Sequence, residues 1–442
     1  MQLTESVLDA TCDLAAKVLR FEAPADRVLS SFFRAHPNLG RDDRAFIADS
    51  IYALLRRMRW VAWSVGRDTP RALVLGALVL LCGKNLRELE PLVSRRELDA
   101  LRNTKGKRAD SESESDRPSI GIELDLPDWL VERLQPKFGE QVLRELATAL
   151  ARGAPLDLRV NTIRGERASV LAELQAAGLT AHATPLAPNG IRINGNPAIN
   201  KLPVFLEGRV EVQDEGSQLL CHLVAPRRGE MIVDFCAGAG GKTLALGALM
   251  RSSGRVYAFD ISDTRLAHLK PRLARSGLSN VHPKRIESER DHRLGRLAGK
   301  IDRVLVDAPC TGLGTLRRNP DLKWRQTPAS VAELAIKQQS IIRAAAKLVK
   351  PGGRLVYATC SLLADENEEV VEQFLGENRE FRMIDAANEL ERQEIKIAGS
   401  ESGYFRILPH IHGTDGFFAA VLQRVATPAA GADASPAQSP TE

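Results

Sequence analysis

The stretch MIVDFCAGAGGKT, residues 231–243, decides how the second half of the chain folds. Met231 to Phe235 form an apolar run of strand length, which stops at a turn containing Gly238, Gly240 and Gly241. Glycines at a strand-to-helix turn let a ligand approach the backbone and leave free amides at the helix start. Three readings compete. A phosphate-binding P-loop needs glycine where Cys236 stands, and a dinucleotide fingerprint needs a third glycine where Thr243 follows Lys242, so both fail. What remains is a nucleoside-type cofactor lying over the turn, its ribose held by an acid that ends the next strand. Asp260, closing RVYAFD, suits that role.

Outward from this turn, strand-like runs recur at Met231–Phe235, Arg255–Asp260, Val281–Lys284, Arg303–Asp307 and Arg354–Thr359, with helical segments between most of them. Gly416 to Leu422 reads as a closing strand. This alternation implies an α/β domain over 206–425, with a parallel sheet covered on both faces.

The fourth run opens DRVLVDAPCTGLGTLRRNPDLKWR, residues 302–325. A strand ends at Asp307, a short turn delivers Cys310, and a loop carries Arg317, Arg318, Lys323 and Arg325. Cys360 ends the fifth strand. Consecutive strands are usually neighbours, and ligands bind at their carboxyl ends, so the two thiols are expected side by side next to the cofactor. Cys12, Cys82 and Cys221 read as small buried hydrophobes, and Cys236 as a packing residue of the glycine turn. Thiol chemistry beside such a cofactor points to carbon methylation of a pyrimidine. A thiolate adding to carbon 6 of cytosine makes carbon 5 nucleophilic, and a base must later remove the carbon 5 proton. Asp307 can hold and protonate the ring nitrogen as the adduct forms. Methylation of an exocyclic amine would instead show an Asn/Asp-Pro-Pro-aromatic turn. The target base must be single-stranded or flipped out. Arg317, Arg318 and Lys323 are therefore expected to hold flanking RNA phosphates, the competing reading being that they pair with Asp321 and nearby acids.

The motifs DFCAGAGGKT (234–243), DAPCTGLGTLRRNPDLKW (307–324), KPGGRLVYATCS (350–361), ADENEEVV (364–371) and DGFFAA (415–420) together resemble the Sun/Nop family of RNA cytosine-C5 methyltransferases. The resemblance implies a Rossmann-like class I methyltransferase domain that uses S-adenosyl-L-methionine. By motif, it implies cofactor contacts at Cys236, Ala237, Gly238, Ala239, Gly240, Gly241, Lys242, Asp260 and Asp307. It makes Cys360 the nucleophile and Cys310 the thiol that assists release. Glu287, after HPKRI, is the expected acid on the adenine side, in place of the family's Asp. The implied substrate is RNA, ribosomal RNA in the first place, with transfer RNA or a non-catalytic role in ribosome assembly as alternatives.

Residues 1–102 read as a helical domain that resembles a shortened NusB-like domain. Leu3, Val7, Leu14 and Val18 fall on one stripe, and so do Ile47, Ile51, Leu54 or Leu55, and Met58. Asp42 and Asp43 suit the start of the second of these helices, and Arg56, Arg57 and Arg59 suit its end, as a solvated basic face or an RNA contact. Residues 103–119 read as a charged flexible linker, 120–205 as a small α/β RNA-binding domain and 426–442 as a disordered tail. Six cysteines without a CxxC pair suggest neither a disulfide framework nor a metal site. The longest apolar run is too short to cross a bilayer, and the N-terminus is unlike a signal peptide. A net charge of +5 permits nucleic-acid binding. A cytoplasmic monomer, with no membrane or metal partner, is the consistent expectation.

Overall fold

The computed structural model describes residues 3–104, 117–398 and 403–426. The central part of the linker expected at 103–119 and nearly all of the tail expected at 426–442 lie outside the described residues.

Residues 3–104 form helices around one apolar core. Helix Arg41–Arg56 buries Ile47, Ile51, Leu54 and Leu55 of the stripe expected from the 3.6-residue period, while Met58, expected on the same stripe, opens the next helix, Met58–Val65. Asp43 Oδ2 accepts the Gly40 N–H at 3.1 Å and caps its start. The basic cluster at its end is not a solvated face. The Arg57 guanidinium donates to Glu123 O, and Arg59 donates to Leu126 O and Asp128. Asp125 is buried and accepts the N–H groups of Arg59 and Trp60 at 2.9 and 3.4 Å, capping helix Met58–Val65 from a distant part of the chain.

Segment 120–205 packs as two parts. Helices Asp128–Phe138 and Glu140–Leu150 bury Leu130, Leu134, Leu143 and Leu146 against Leu313, Leu316, Leu362 and Leu363 of the catalytic loops. The second part is an antiparallel sheet with its own core. Its strands β1 (Leu156–Val160), β2 (Ala181–Ala183), β3 (Gly190–Ile193) and β4 (Val210–Val212) lie in the order β2-β3-β1-β4. β4 carries this sheet past residue 205.

The large sheet holds eight strands among the described residues. They are β5 (Met231–Asp234), β6 (Arg255–Asp260), β7 (Val281–Arg285), β8 (Ile301–Asp307), β9 (Val349–Thr359), β10 (Phe381–Ile384), β11 (Phe405–Ile407) and β12 (Phe417–Arg424). The order is β10-β12-β9-β8-β5-β6-β7, with β11 on β12; β7, β6, β5, β8 and β9 run parallel and β12 is antiparallel. Along β12, Phe417, Ala419 and Val421 face one core while Phe418, Ala420 and Leu422 face the other. Burial on both sides explains the unbroken apolar run of this strand, and each large side chain so buried contributes about 1.5–3 kcal/mol. Strand order reverses between β5 and β8. The crevice at that switch point, beyond the carboxyl ends of the strands, is where such sheets bind ligands.

Candidate active site

A cavity of about 530 Å³ opens at the switch point. Residues 236–239, Gly241, Lys242, Asp260, Asp307, Cys310 and Cys360 all line it. The glycine turn has the conformation its composition suggested. Gly240 sits at φ +83°, and a Cβ there would lie 2.1 Å from Leu269 Cδ1, so no side chain fits. Asp260 Oδ2 accepts the Gly238 N–H at 2.8 Å and Oδ1 accepts the Ser262 N–H at 2.8 Å, which holds the carboxylate at the cavity wall. Asp234 is fully enclosed under the turn. Burial pushes its carboxyl up to about 7, although Thr243 Oγ1 donates to Oδ2 at 2.6 Å. Among the described residues, Asp234 Oδ1 has no hydrogen-bond partner.

The two thiols meet. β8 and β9 are parallel neighbours with Asp307 opposite Ala358, and the turns that follow bring Cys310 Sγ to 3.4 Å from Cys360 Sγ. The second turn is held by Gly314, whose N–H donates to Cys360 O at 2.8 Å. A Cβ on Gly314 would fall 2.2 Å from Gly416 O, so this approach also requires glycine. Hydrogen bonding to Cys360, burial and the nearby Glu366 carboxylate push the Cys310 thiol up. Lys242 Nζ donates to Asp307 Oδ2 at 2.7 Å. Burial pulls the ammonium down, but the Asp307 carboxylate more than offsets this and holds Lys242 above its ordinary value. Burial likewise pushes up Cys236 and takes Cys221 to about 12; Cys12 and Cys82 pack against the N-terminal core.

Two expectations need correction. Glu287 is exposed and does not line the cavity; its backbone N–H donates to Asp291. Two positions on, Glu289 lines the cavity, accepting Lys337 Nζ at 2.6 Å and Ser340 Oγ at 2.7 Å. Burial would raise its carboxyl, but these two donors hold it down at about 2. Its partners lie on helix Pro328–Ala346, a pairing that no local pattern announces. The second correction concerns the basic loop, which turns inward. Arg317 donates to Gly413 O and Thr414 O at 2.9 and 3.0 Å. Arg318 bridges Asp415 and Asp214 at 2.5 and 3.0 Å. Lys323 is 5% exposed and donates to Arg56 O at 2.9 Å, and burial lowers its ammonium to about 8. The residues expected as a phosphate clamp are held within the catalytic domain, apart from Lys323, which reaches the N-terminal helices. Gln213, Ser217, Arg265 and Lys337 also line the cavity and carried no sequence signal.

This site is that of a Rossmann-like methyltransferase. Residues 221–423 match the family of the 16S rRNA methyltransferase RsmB/F, and residues 126–200 match the ferredoxin-like domain of RsmF/B-like methyltransferases. The chain is 33% identical to a probable ribosomal RNA small subunit methyltransferase B of Synechocystis, over 92% of this chain and 96% of that one. The crystal structure of PH0851 matches with a TM-score of 0.77 and 26% identity, over 96% of this chain and 100% of that one. A methyltransferase homolog from Pyrococcus horikoshii matches with a TM-score of 0.59 and 29% identity, over 69% and 97%. The chain belongs to the RsmB/F methyltransferase family and is an RNA methyltransferase.

Proposed function

We propose that this enzyme methylates carbon 5 of a cytosine in small-subunit ribosomal RNA in the cytoplasm, through a covalent adduct on Cys360. The observation that carries the reading is the 3.4 Å approach of two thiols at the wall of the cofactor cavity. The cavity suits S-adenosyl-L-methionine. Asp260 is placed for a ribose diol, the free oxygen of Asp234 suits an ammonium, and Ile261 and Ile286 offer apolar walls for an adenine. When bound there, this cofactor supplies the methyl group.

Cys360 Sγ, its proton given up beforehand, adds as the thiolate to carbon 6 of the flipped base, and the electron pair displaced from the ring double bond makes carbon 5 nucleophilic. Asp307 holds ring nitrogen 3 once a proton lies between the two acceptors. Lys242 Nζ, bonded to Asp307, supplies a proton through this pair as charge develops on the ring. After carbon 5 is methylated it gives up its proton to a general base, the bond from sulfur to carbon 6 breaks with its electron pair returning to sulfur as the 5,6 double bond re-forms, and nitrogen 3 returns its proton through Asp307 to Lys242. Cys310 remains a thiol because its environment resists ionisation, so its S–H can stabilise the departing Cys360 thiolate.

Two variants test the reading against RNA prepared from cells lacking the protein. Cys360→Ala is expected to abolish transfer of a labelled methyl group. Cys310→Ala is expected to accumulate a protein–RNA adduct that survives denaturing electrophoresis. Bisulfite mapping should show a cytosine that loses protection in those cells. Full activity of Cys360→Ala, or no change in the map, overturns the proposal.

A further inference from the structure

The motif ADENEEVV, residues 364–371, has no part in the chemistry above, yet its Glu366 is fully buried directly behind the thiols. Oε1 accepts the Thr311 N–H at 2.9 Å and Gln338 Nε2 at 3.0 Å. Oε2 accepts Thr311 Oγ1 at 2.5 Å and the hydroxyl of Ser361. Thr311 follows Cys310 and Ser361 follows Cys360. The two hydroxyls also lie 3.2 Å apart. One carboxylate thus ties together the residues next to both cysteines. Its neighbour Asn367 reinforces the second turn, donating to Ser361 O at 3.1 Å and accepting from Thr359 Oγ1 at 2.5 Å. Gln338 closes the network by donating to Pro309 O at 2.9 Å, in the Cys310 turn.

A buried carboxylate is costly unless its lone pairs are filled, and here four donors fill them. A glutamine could not replace it. One side-chain oxygen would keep only part of these bonds, and its NH₂ would face donors already pointing inward. An ionised acceptor is the group that suits this position.

We infer that Glu366 is a positioning residue of the methyl-transfer reaction: it locks the turns bearing Cys310 and Cys360 in mutual register and sets unlike environments for the two thiols. The inference rests on the two-cysteine reading above. The asymmetry follows from geometry. Glu366 bonds both the backbone N–H and the hydroxyl of Thr311, next to Cys310, but only the hydroxyl of Ser361, next to Cys360, and its charge is one of the causes that push the Cys310 thiol up. The titratable groups around Cys310 include Cys360 beyond the end of β9, Tyr357 on β9 and Glu366 on the turn that follows, and across the shared cavity Cys236, Lys242, Asp260, Asp307, Glu289 and Lys337.

The test compares the full-length protein with Glu366→Gln and Glu366→Asp. Iodoacetamide alkylation of Cys310 and Cys360 is followed by mass spectrometry across pH without RNA, so the outcome does not depend on the identity of the modified base. In Glu366→Gln the Cys310 profile should move to lower pH, since a negative charge has been removed. Single-turnover methyl transfer should fall about 100-fold, with KM for RNA and affinity for S-adenosylmethionine within about twofold of the parent. Glu366→Asp keeps the charge, so its Cys310 profile should stay in place while transfer still falls, because the shorter side chain cannot span both turns. A merely structural role would lower thermal stability and cofactor affinity together and leave the alkylation profiles unmoved; that result overturns the inference. So does a Glu366→Gln protein with parental profile and turnover. Should Glu366→Gln not fold, Thr311→Val and Ser361→Ala each remove one tether. Transfer about tenfold slower in each supports the inference, and parental rates in both overturn it. If the profiles respond as expected but no cytosine is methylated, the functional reading fails and the positioning role stands.

Discussion

The turn at Asp307–Cys310 and the basic stretch at Arg317–Arg325 belong to one connection after β8, and the molecule uses them in opposite ways. The turn lines the cofactor cavity, with Asp307 held by Lys242 and Cys310 against Cys360. The basic stretch faces the other domains. Lys323 and Trp324 Nε1 donate to Arg56 O and Leu55 O, and Ala25 N–H donates to Asp321 Oδ2. Side chains at strand ends have their direction set by the sheet, so their destination follows from topology. Cations on a loop go where carboxylates and carbonyls await them, and those come from distant segments such as Asp214, Asp415 and Arg56. A charge run alone is therefore weak evidence for a nucleic-acid contact.

Asp307→Asn breaks the first half of this comparison most severely. Without the carboxylate to relay a proton to the ring, single-turnover methyl transfer should fall about 10²- to 10⁴-fold while the fold survives. Parental turnover would remove Asp307 from the reaction. Trp324→Ala attacks the second half. It removes an indole packed on the N-terminal core and its bond to Leu55 O, and should destabilise the docked helical domain by about 3 kcal/mol, read from denaturant unfolding. Methyl transfer on a short RNA should change much less.

A pH titration sharpens the contrast further. Folded Lys323 gives up its proton near pH 8, while the unfolded chain keeps it to about 10.5, so above pH 8 the unfolded state binds more protons. Stability contributed at this site should therefore begin to rise near pH 7, gain about 1 kcal/mol between pH 8 and pH 9, and stay flat below about pH 7. Lys323→Met should erase that rise in unfolding curves. The smallest effect is the most diagnostic. Each lost phosphate contact flattens the dependence of log affinity on log salt by about one unit. Arg317→Ala and Lys323→Met are expected to leave the slope for RNA binding unchanged, and a flattening would return these residues to the RNA interface.

Legibility followed the same division. The strand-and-glycine pattern around Asp234 to Thr243, the acid ending RVYAFD and the thiols at the ends of consecutive strands are each local, and the structure gathers them around one cavity. Glu287 shows the limit of such reading. β7 ends at Arg285, but the bend after Ile286 and the pull of Lys337 and Ser340 bring Glu289 to the wall. Helices Asp128–Phe138 and Glu140–Leu150 show it again: nothing local announces that they brace Leu313 and Leu362 beside the cysteine turns.

By itself the sequence determined six of the eight strands of the large sheet, all but β10 and β11, the glycine turn and the two sulfurs on consecutive strands, because hydrophobic period and backbone freedom act over a few residues. Only tertiary structure decided which charges meet. Glu366 behind the thiols, Lys242 on Asp307 and Lys323 on Arg56 are joined across long separations in the chain. A buried charge takes the partner that packing leaves within reach, and that choice has no local signature.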